Sequence, residues 1–369
     1  MSSDNYQIYF DCGFSKLRAG AFNKIDLRET FNAESNFFFD HTDIDLEIQE
    51  IITFLEKNTN EYIDDINLMI DSSKMQSIGI SVFKKIDELQ LRQEDIQFLV
   101  QEAKQQILKY YKNKDIIHII INNYKINNID YNYLPLNTKC NFIALDILFI
   151  CLPEEIIEYF KDIFYKFDIS VNQIICSSYA KAKSYDEDLF NHENISFIDV
   201  GYSKTSIITY TNNRISCLNI LPIGGNHITK DISKMLKIDL KQAENIKINF
   251  EKKEKFLHDK DFSLEFLKKI IFARIEEILK MCVQSIKLNS ITANPFKVVL
   301  MGEGSKVLNN QYKDKKLTTH DLDFLEDKTQ DVCRAGFNLE MGLNTHEVTI
   351  VPKKLTKQGV FERFFHFFS

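Results

Sequence analysis

A chain of 369 residues that is 44% hydrophobic can bury cores for two domains, or for one large duplicated one. Its formal charge of −7 excludes a general nucleic-acid binder, whose surface has to be basic. No run reaches the ~18 apolar residues of a membrane span and MSSDNYQ shows no apolar signal region, so the expected location is the cytoplasm.

In chain order, Ile8–Ala21 reads as strand, Asp11-Cys12-Gly13, a polar turn with Ser15 and Lys16, then strand. Asp45–Asn58 spaces Ile48, Ile51, Ile52 and Leu55 with a helical period, and Ile66–Ile70 is a short strand. Ser77–Phe83 is strand-like. A helix starting at Arg92 carries Ile96, Leu99, Val100, Ala103 and Ile107 on one face. Ile116–Ile121, Tyr124–Ile129 and Phe142–Leu152 read as three strands. Pro153-Glu154-Glu155 starts a helix. Val171–Cys176 is a strand and Ser177–Tyr185 a helix.

The second half opens on Ile195–Val200, a strand ending in Asp199-Val200-Gly201, followed by the turn Tyr202-Ser203-Lys204-Thr205. Two more strands, Ser206–Tyr210 and Ile215–Leu221, precede Gly224-Gly225 at the start of a helical pattern. Asp-x-Gly with a hydroxyl-rich turn suits a phosphate grip, because glycine admits close backbone approach and the turn presents donors. Taken singly, it equally suits an ordinary hairpin. Glu244 and Lys247 share a helix face at i,i+3, which fits either a surface ion pair or a ligand site. Phe262–Leu288 is a long amphipathic helix with Leu264, Leu267, Ile271, Ile275, Ile278 and Leu279 inward. Val298–Val307 is a strand leading into Gly302-Glu303-Gly304-Ser305. Seven scattered cysteines, without a C-x-x-C, read as small core residues.

The chain ends GVFERFFHFFS. At about 100° per residue, Val360, Phe361, Phe364, Phe365 and Phe368 form one stripe of a helix. Such a helix either docks on the protein's own core or lies in a membrane interface. The Lys-rich linker before it and the density of phenylalanine favour the interface.

Two Asp-x-Gly hairpins, one per half, and a late strand with a Gly-x-Gly-Ser turn resemble the actin-like ATPase pattern of two phosphate loops and one adenosine loop. Within that superfamily, LPIGGNHITKDISKMLKIDLKQAENIK, Leu221 to Lys247, resembles the bacterial cell-division actin homologue FtsA. The resemblance implies an α/β actin-like ATPase fold: two duplicated RNase H-like halves around a nucleotide cleft, with an inserted α+β subdomain. It divides the chain into subdomain IA (1–74 and 152–194), inserted subdomain IC (75–151), IIA (195–230 and 296–344) and IIB (231–295). A linker (345–358) and an amphipathic membrane-targeting helix (359–369) follow.

The resemblance further implies ATP and Mg as ligands. The nucleotide would be bound by Asp11, Gly13, Ser15, Lys16, Asp199, Gly201, Ser203, Lys204, Thr205, Gly224, Gly225, Glu244, Lys247, Gly302, Gly304 and Ser305. The metal would be held by Asp11 and Asp199 through water. Glu244 would accept from the ribose and Lys247 lie along the base. Implied partners are the FtsZ C-terminal tail through IIB, further copies of the chain in filaments, other division proteins through IC, and anionic lipid through the C-terminal helix. The implied place is the cytoplasmic face of the inner membrane at the septum.

Three departures stand out. Tyr202 and Ser203 replace glycines of the second phosphate loop. Glu303 sits in the adenosine loop, where a carboxylate is unfavourable unless turned to solvent. IIB is shortened, which bears on FtsZ docking. Hydrolysis is expected to be weak or absent, since no side chain in these motifs is placed to position an attacking water. The alternatives are a PilM-type pilus scaffold with the same insertion, and a small-molecule kinase of the superfamily.

Overall fold

The computed structural model describes residues 5–36, 44–87, 89–131, 134–185, 192–250, 263–289, 297–308, 322–324 and 329–341. The C-terminal stripe from Val360 to Phe368 therefore lies outside the described residues.

In the first half, β1 (Tyr6–Cys12), β2 (Lys16–Asn23) and β3 (Glu29–Asn36) form an antiparallel meander. α1 (Ile44–Thr59) crosses over, and β4 (Asp65–Ile70) and β9 (Ser170–Cys176) then add in parallel, giving the order β3-β2-β1-β4-β9. α1 forms where the sequence predicts it. Ile48, Ile51, Ile52 and Leu55 are buried, and Asp45 and Glu47 in the first turn with Lys57 in the last suit the helix dipole.

The second half repeats the plan. β10 (Asn194–Val200), β11 (Thr205–Thr211) and β12 (Arg214–Leu221) form a meander, and β13 (Lys297–Met301) and β14 (Leu322–Phe324) add in parallel, in the order β12-β11-β10-β13-β14. The two sheets share one strand order and one pattern of directions, so the halves are a structural duplication. α5 (Gly225–Leu236), α6 (Leu240–Ile248) and α7 (Leu264–Asn289) cover one face of the second sheet. In α7, Leu267, Ile271, Ile275, Ile278 and Leu279 are buried as the periodicity predicts, while Leu264 is half-buried against the same core.

Between β4 and β9 lie β5 (Gln76–Lys85), α2 (Gln93–Tyr110), β6 (Lys114–Ile126), β7 (Ile129–Tyr131), β8 (Phe142–Pro153) and α3 (Glu154–Tyr165). The strands form a third sheet, β5-β8-β6-β7. One face packs on Ile96, Leu99, Val100, Ala103 and Ile107 of α2. The other sends Ile117, Ile120, Leu148 and Ile150 into a core that runs across both halves. The sequence predicts two strands at Ile116–Ile121 and Tyr124–Ile129, but these are one strand, β6. The chain reverses at Asn127-Asn128, whose φ values of 49° and 69° suit a hairpin turn. Asn122 and Asn123 stay within the strand. Asn122 donates to the Ile215 carbonyl at 2.7 Å, and Asn123 donates to Asp130 at 2.7 Å and Asp146 at 3.2 Å.

α4 (Ser177–Lys183) follows β9, and α8 (Thr329–Glu340) returns the chain from the second half onto the first sheet. Phe337 stacks on Phe22 at 4.5 Å, and Tyr9 meets both rings edge-on. Ala335 is buried in this helix, and Gly336 makes the tight contact, where an added Cβ would stand 2.5 Å from the Met69 sulfur.

At the end of α8, Glu340 accepts from the Tyr9 hydroxyl, from Asn67 at 2.9 Å and from Gln7 at 3.4 Å. Burial raises the Glu340 carboxyl above its ordinary value, and the Tyr9 bond opposes the shift only in part. A raised folded-state value means that this group's stabilising contribution is complete below its unfolded value of 4.5 and is lost as pH climbs through the folded one. The Gln7 Oε1 and Asn67 Oδ1 atoms beside it are buried without a hydrogen-bond partner. Glu340→Gln removes the charge, keeps an acceptor for Tyr9 and supplies an N–H to these oxygens. It is expected to stabilise the fold by on the order of 1 kcal/mol at pH 7, read as a higher Tm, with the gain shrinking toward pH 4. An equal or lower Tm at pH 7 would remove this account.

Candidate functional site

Three turns converge on one cleft between the two sheets. The first joins β1 to β2, and the Gly13 N–H closes it by donating to the Lys16 carbonyl at 3.0 Å. The second joins β10 to β11, where Gly201 donates to Lys204 in the same way at 2.9 Å. Beyond β13, the predicted Gly-x-Gly turn is a 3-10 helix, Glu303–Leu308, entered through Gly302. At Gly302 φ is +90°, and an added Cβ would stand 2.6 Å from the Val200 carbonyl oxygen and against the Asp199 carboxylate. Only glycine fits there.

Of the residues singled out from sequence, Asp11, Gly13, Ser15, Lys16, Asp199, Gly201, Ser203, Lys204 and Gly302 line the cleft. The others stand behind it. The Thr205 hydroxyl donates to the Ile223 carbonyl at 2.7 Å, and the Ser305 hydroxyl to the Gly302 carbonyl at 2.7 Å. Gly304 packs on Val200. Gly224 and Gly225 support the second turn from below: Gly225 N–H donates to the Gly201 carbonyl at 2.9 Å and Asn226 N–H to the Tyr202 carbonyl at 2.7 Å. A Cβ on Gly224 would meet the Gly201 oxygen at 2.5 Å, so two backbones touch where that side chain would be.

Glu244 and Lys247 are not a surface ion pair. Each is 7% exposed, and they bond at 2.7 Å. Thr229 donates to Glu244. Lys247 also donates to Thr229 at 2.9 Å and to the Gly225 carbonyl at 3.1 Å. Burial pushes the Lys247 ammonium below its ordinary value, and Glu244 opposes that shift. The Tyr202 ring lies 5.6 Å from the Lys247 nitrogen, so the tyrosine that replaces a loop glycine closes over this pair.

Sequence reasoning missed Arg18, Asp71, Ser177 and Lys181, all of which line the cleft. Each had a signal. Arg18 is the register partner of Asp11 across the first hairpin. Asp71 follows the C-terminal end of the parallel strand β4, where open α/β sheets present ligand-binding groups. Ser177 and Lys181 lie one helical turn apart on α4. Ser177 donates to Asp11 at 2.7 Å, Arg18 pairs with Asp11 at 3.0 Å, and Lys181 pairs with Asp199 at 2.5 Å. Lys204 donates to the Asp71 backbone carbonyl. Glu303 neither turns to open solvent nor stands unmatched, since Lys306, Lys16 and Arg18 lie at 2.7, 3.5 and 3.4 Å. Burial raises its carboxyl, but these cations outweigh burial and hold it below its ordinary value.

Four cations (Lys16, Arg18, Lys181, Lys204) thus meet four carboxylates (Asp11, Asp71, Asp199, Glu303) around the cleft. The ammonium groups and the turn N–H groups suit phosphate oxygens. A divalent ion fits poorly, because Asp11 and Asp199 already carry bonded cations.

The duplicated sheets, the interrupting third sheet and the cleft between two Asp-x-Gly hairpins define an actin-like ATPase fold. Solved structures agree. A PilM-PilN type IV pilus biogenesis complex aligns with a TM-score of 0.64 at 12% identity, over 92% of this chain and 98% of the other. The ethanolamine utilization protein EutJ from Carboxydothermus hydrogenoformans aligns with a TM-score of 0.51 at 11% identity, over 90% and 89%. Residues 196–265, from β10 into the start of α7, match the family model described as Cell division protein FtsA. FtsA of Streptococcus pneumoniae serotype 2 is 30% identical over 154 residues, 38% of this chain and 34% of the relative. FtsA of Neisseria meningitidis serogroup B is 26% identical over 219 residues, 57% and 51% respectively. The chain is similar to FtsA over part of its length, and its matches span about half the length of these relatives or less.

Proposed function

We propose that the protein is an ATP-binding, actin-like cell-division scaffold that polymerises on the inner face of the membrane and ties a ring of the tubulin homologue FtsZ to it. One observation carries the reading: both Asp-x-Gly turns and the Gly302 turn meet at a single cleft, and the FtsA match begins in the strand that supplies its second carboxylate. In this reading the first sheet with α1 is subdomain IA, the third sheet with α2 is IC, the second sheet is IIA, and α5, α6 and α7 form IIB. The phosphates lie among Gly13, Ser15, Lys16, Gly201, Ser203 and Lys204, and the nucleoside beside Glu244 and Lys247. Filaments follow from head-to-tail stacking, a heterologous contact that does not close.

The stripe Val360, Phe361, Phe364, Phe365 and Phe368 is the membrane anchor. Each Phe contributes up to ~1.5–3 kcal/mol if fully buried, and Lys353, Lys354 and Lys357 about 1 kcal/mol each on anionic lipid. Linkage of many copies in a filament multiplies this reversible binding. The PilM-type pilus reading shares the fold, and the terminal stripe argues against it.

Two measurements test the proposal. Fluorescent mant-ATP with excess Mg should bind the full chain saturably, and an absence of binding sinks the nucleotide assignment. The full chain should float with anionic liposomes while Phe364→Asp/Phe365→Asp does not. Equal flotation of both removes the anchor, and with it the preference over the pilus reading.

A further inference from the structure

Lys204 lines the cleft together with Asp11, Asp71 and Asp199. It extends from the second turn into the first half, where its ammonium donates to the Asp71 backbone carbonyl. The charges acting on it are those of Asp71, Asp11 and Asp199. Those carboxylates are also bound by other groups. Asp11 takes Arg18 and Ser177, and Asp199 takes Lys181. Asp71 accepts from the Ser178 N–H and hydroxyl, both at 3.1 Å, from the Cys176 thiol at 3.3 Å and from the Ser206 hydroxyl at 3.4 Å. A magnesium ion demands a near-octahedral shell of oxygens, several of them water. Here it would have to enter beside the Lys204 ammonium, at carboxylates that already carry bonded cations. Among the described residues, no group of three or more His, Cys, Asp or Glu side chains is arranged to hold a metal.

We propose that Lys204 is the resident counter-cation of this site in place of a divalent metal, and that the cleft takes its nucleotide as the metal-free polyphosphate. The inference rests on the nucleotide reading above. An ammonium has three donors, so Lys204 can hold the Asp71 carbonyl and still donate to a phosphate oxygen. Lys16, with its side chain 17% exposed at the rim, adds a further positive charge. Burial lowers the affinity of Lys204 for its proton, while the three carboxylates oppose that shift and favour the charged form.

The test is a mant-ATP titration of the full chain in excess EDTA and again in excess MgCl2, with circular dichroism to confirm folding. The parent should show Kd values within about threefold of each other, a difference below 1 kcal/mol. Lys204→Ser should lose about tenfold or more in EDTA and recover part of that loss in MgCl2, because the ion then no longer meets the Lys204 ammonium. Lys204→Arg should keep the parent's indifference to metal. Binding by the parent that needs Mg, or Lys204→Ser matching the parent in EDTA, overturns the inference and leaves the nucleotide site standing. Folded parent that binds mant-ATP in neither buffer overturns both.

Discussion

Glu244→Ala should cost about 3–5 kcal/mol of stability, read as a shift of the urea midpoint, because it strands a buried ammonium. Lys247 is 7% exposed, and its bond to Glu244 at 2.7 Å is its single interaction with a carboxylate among those described. What remains to it, the Thr229 hydroxyl and the Gly225 carbonyl, is neutral. Without Glu244 the folded-state value of Lys247 falls further below its unfolded value of 10.5. The unfolded chain then binds the extra proton, so the variant should regain stability as pH rises toward 10. Replacing both members, as Glu244→Leu/Lys247→Met, should recover most of the loss, since no charge is then left unpaired. A single variant within about 1 kcal/mol of the parent at pH 7 would mean the pair is solvated, against the geometry described.

Gly302→Ala should destabilise by on the order of 3 kcal/mol and abolish saturable mant-ATP binding. A non-glycine residue at φ +90° costs about 1–3 kcal/mol by itself. The new Cβ also collides with the Val200 carbonyl of β10, a backbone atom that cannot swing aside, and with the Asp199 carboxylate, which would have to leave Lys181. Gly79→Ala is the control. It lies in β5 with nothing within 4 Å of the added atom and should change stability by less than about 1 kcal/mol. Similar urea midpoints for the two variants would remove the steric account of the Gly302 turn.

The elements legible in the sequence were those with a strong period. The α2 face, the buried stripe of α7 and both Asp-x-Gly hairpins follow from apolar spacing and turn residues alone. β6 was not, because an Asn-Asn pair is a turn signal wherever it occurs. Only the third dimension shows that Asn122-Asn123 spends its amides on Ile215, Asp130 and Asp146 while Asn127-Asn128 makes the turn. The cleft was legible in its glycines and its two principal carboxylates. Its counter-charges went unread, since the signals for Arg18, Lys181 and Asp71 are a hairpin register, a helical turn and a strand end rather than a motif. The burial of Glu244 and Lys247 was equally hidden, because an i,i+3 spacing is the same on a wet face and a dry one.

The third sheet is fastened to both halves at once. Ser77 donates to the Leu218 carbonyl at 2.8 Å and Asn122 to the Ile215 carbonyl at 2.7 Å, both on β12, while His118 accepts the Cys176 N–H at 2.9 Å where β9 meets α4. Such a brace joins the two halves along the β12 edge of the second sheet. β12 is the outermost strand of its sheet, and its Leu221 end runs directly into the glycine pair beneath the second turn. One strand, β12, thus joins the braced subdomain to the floor of the cleft.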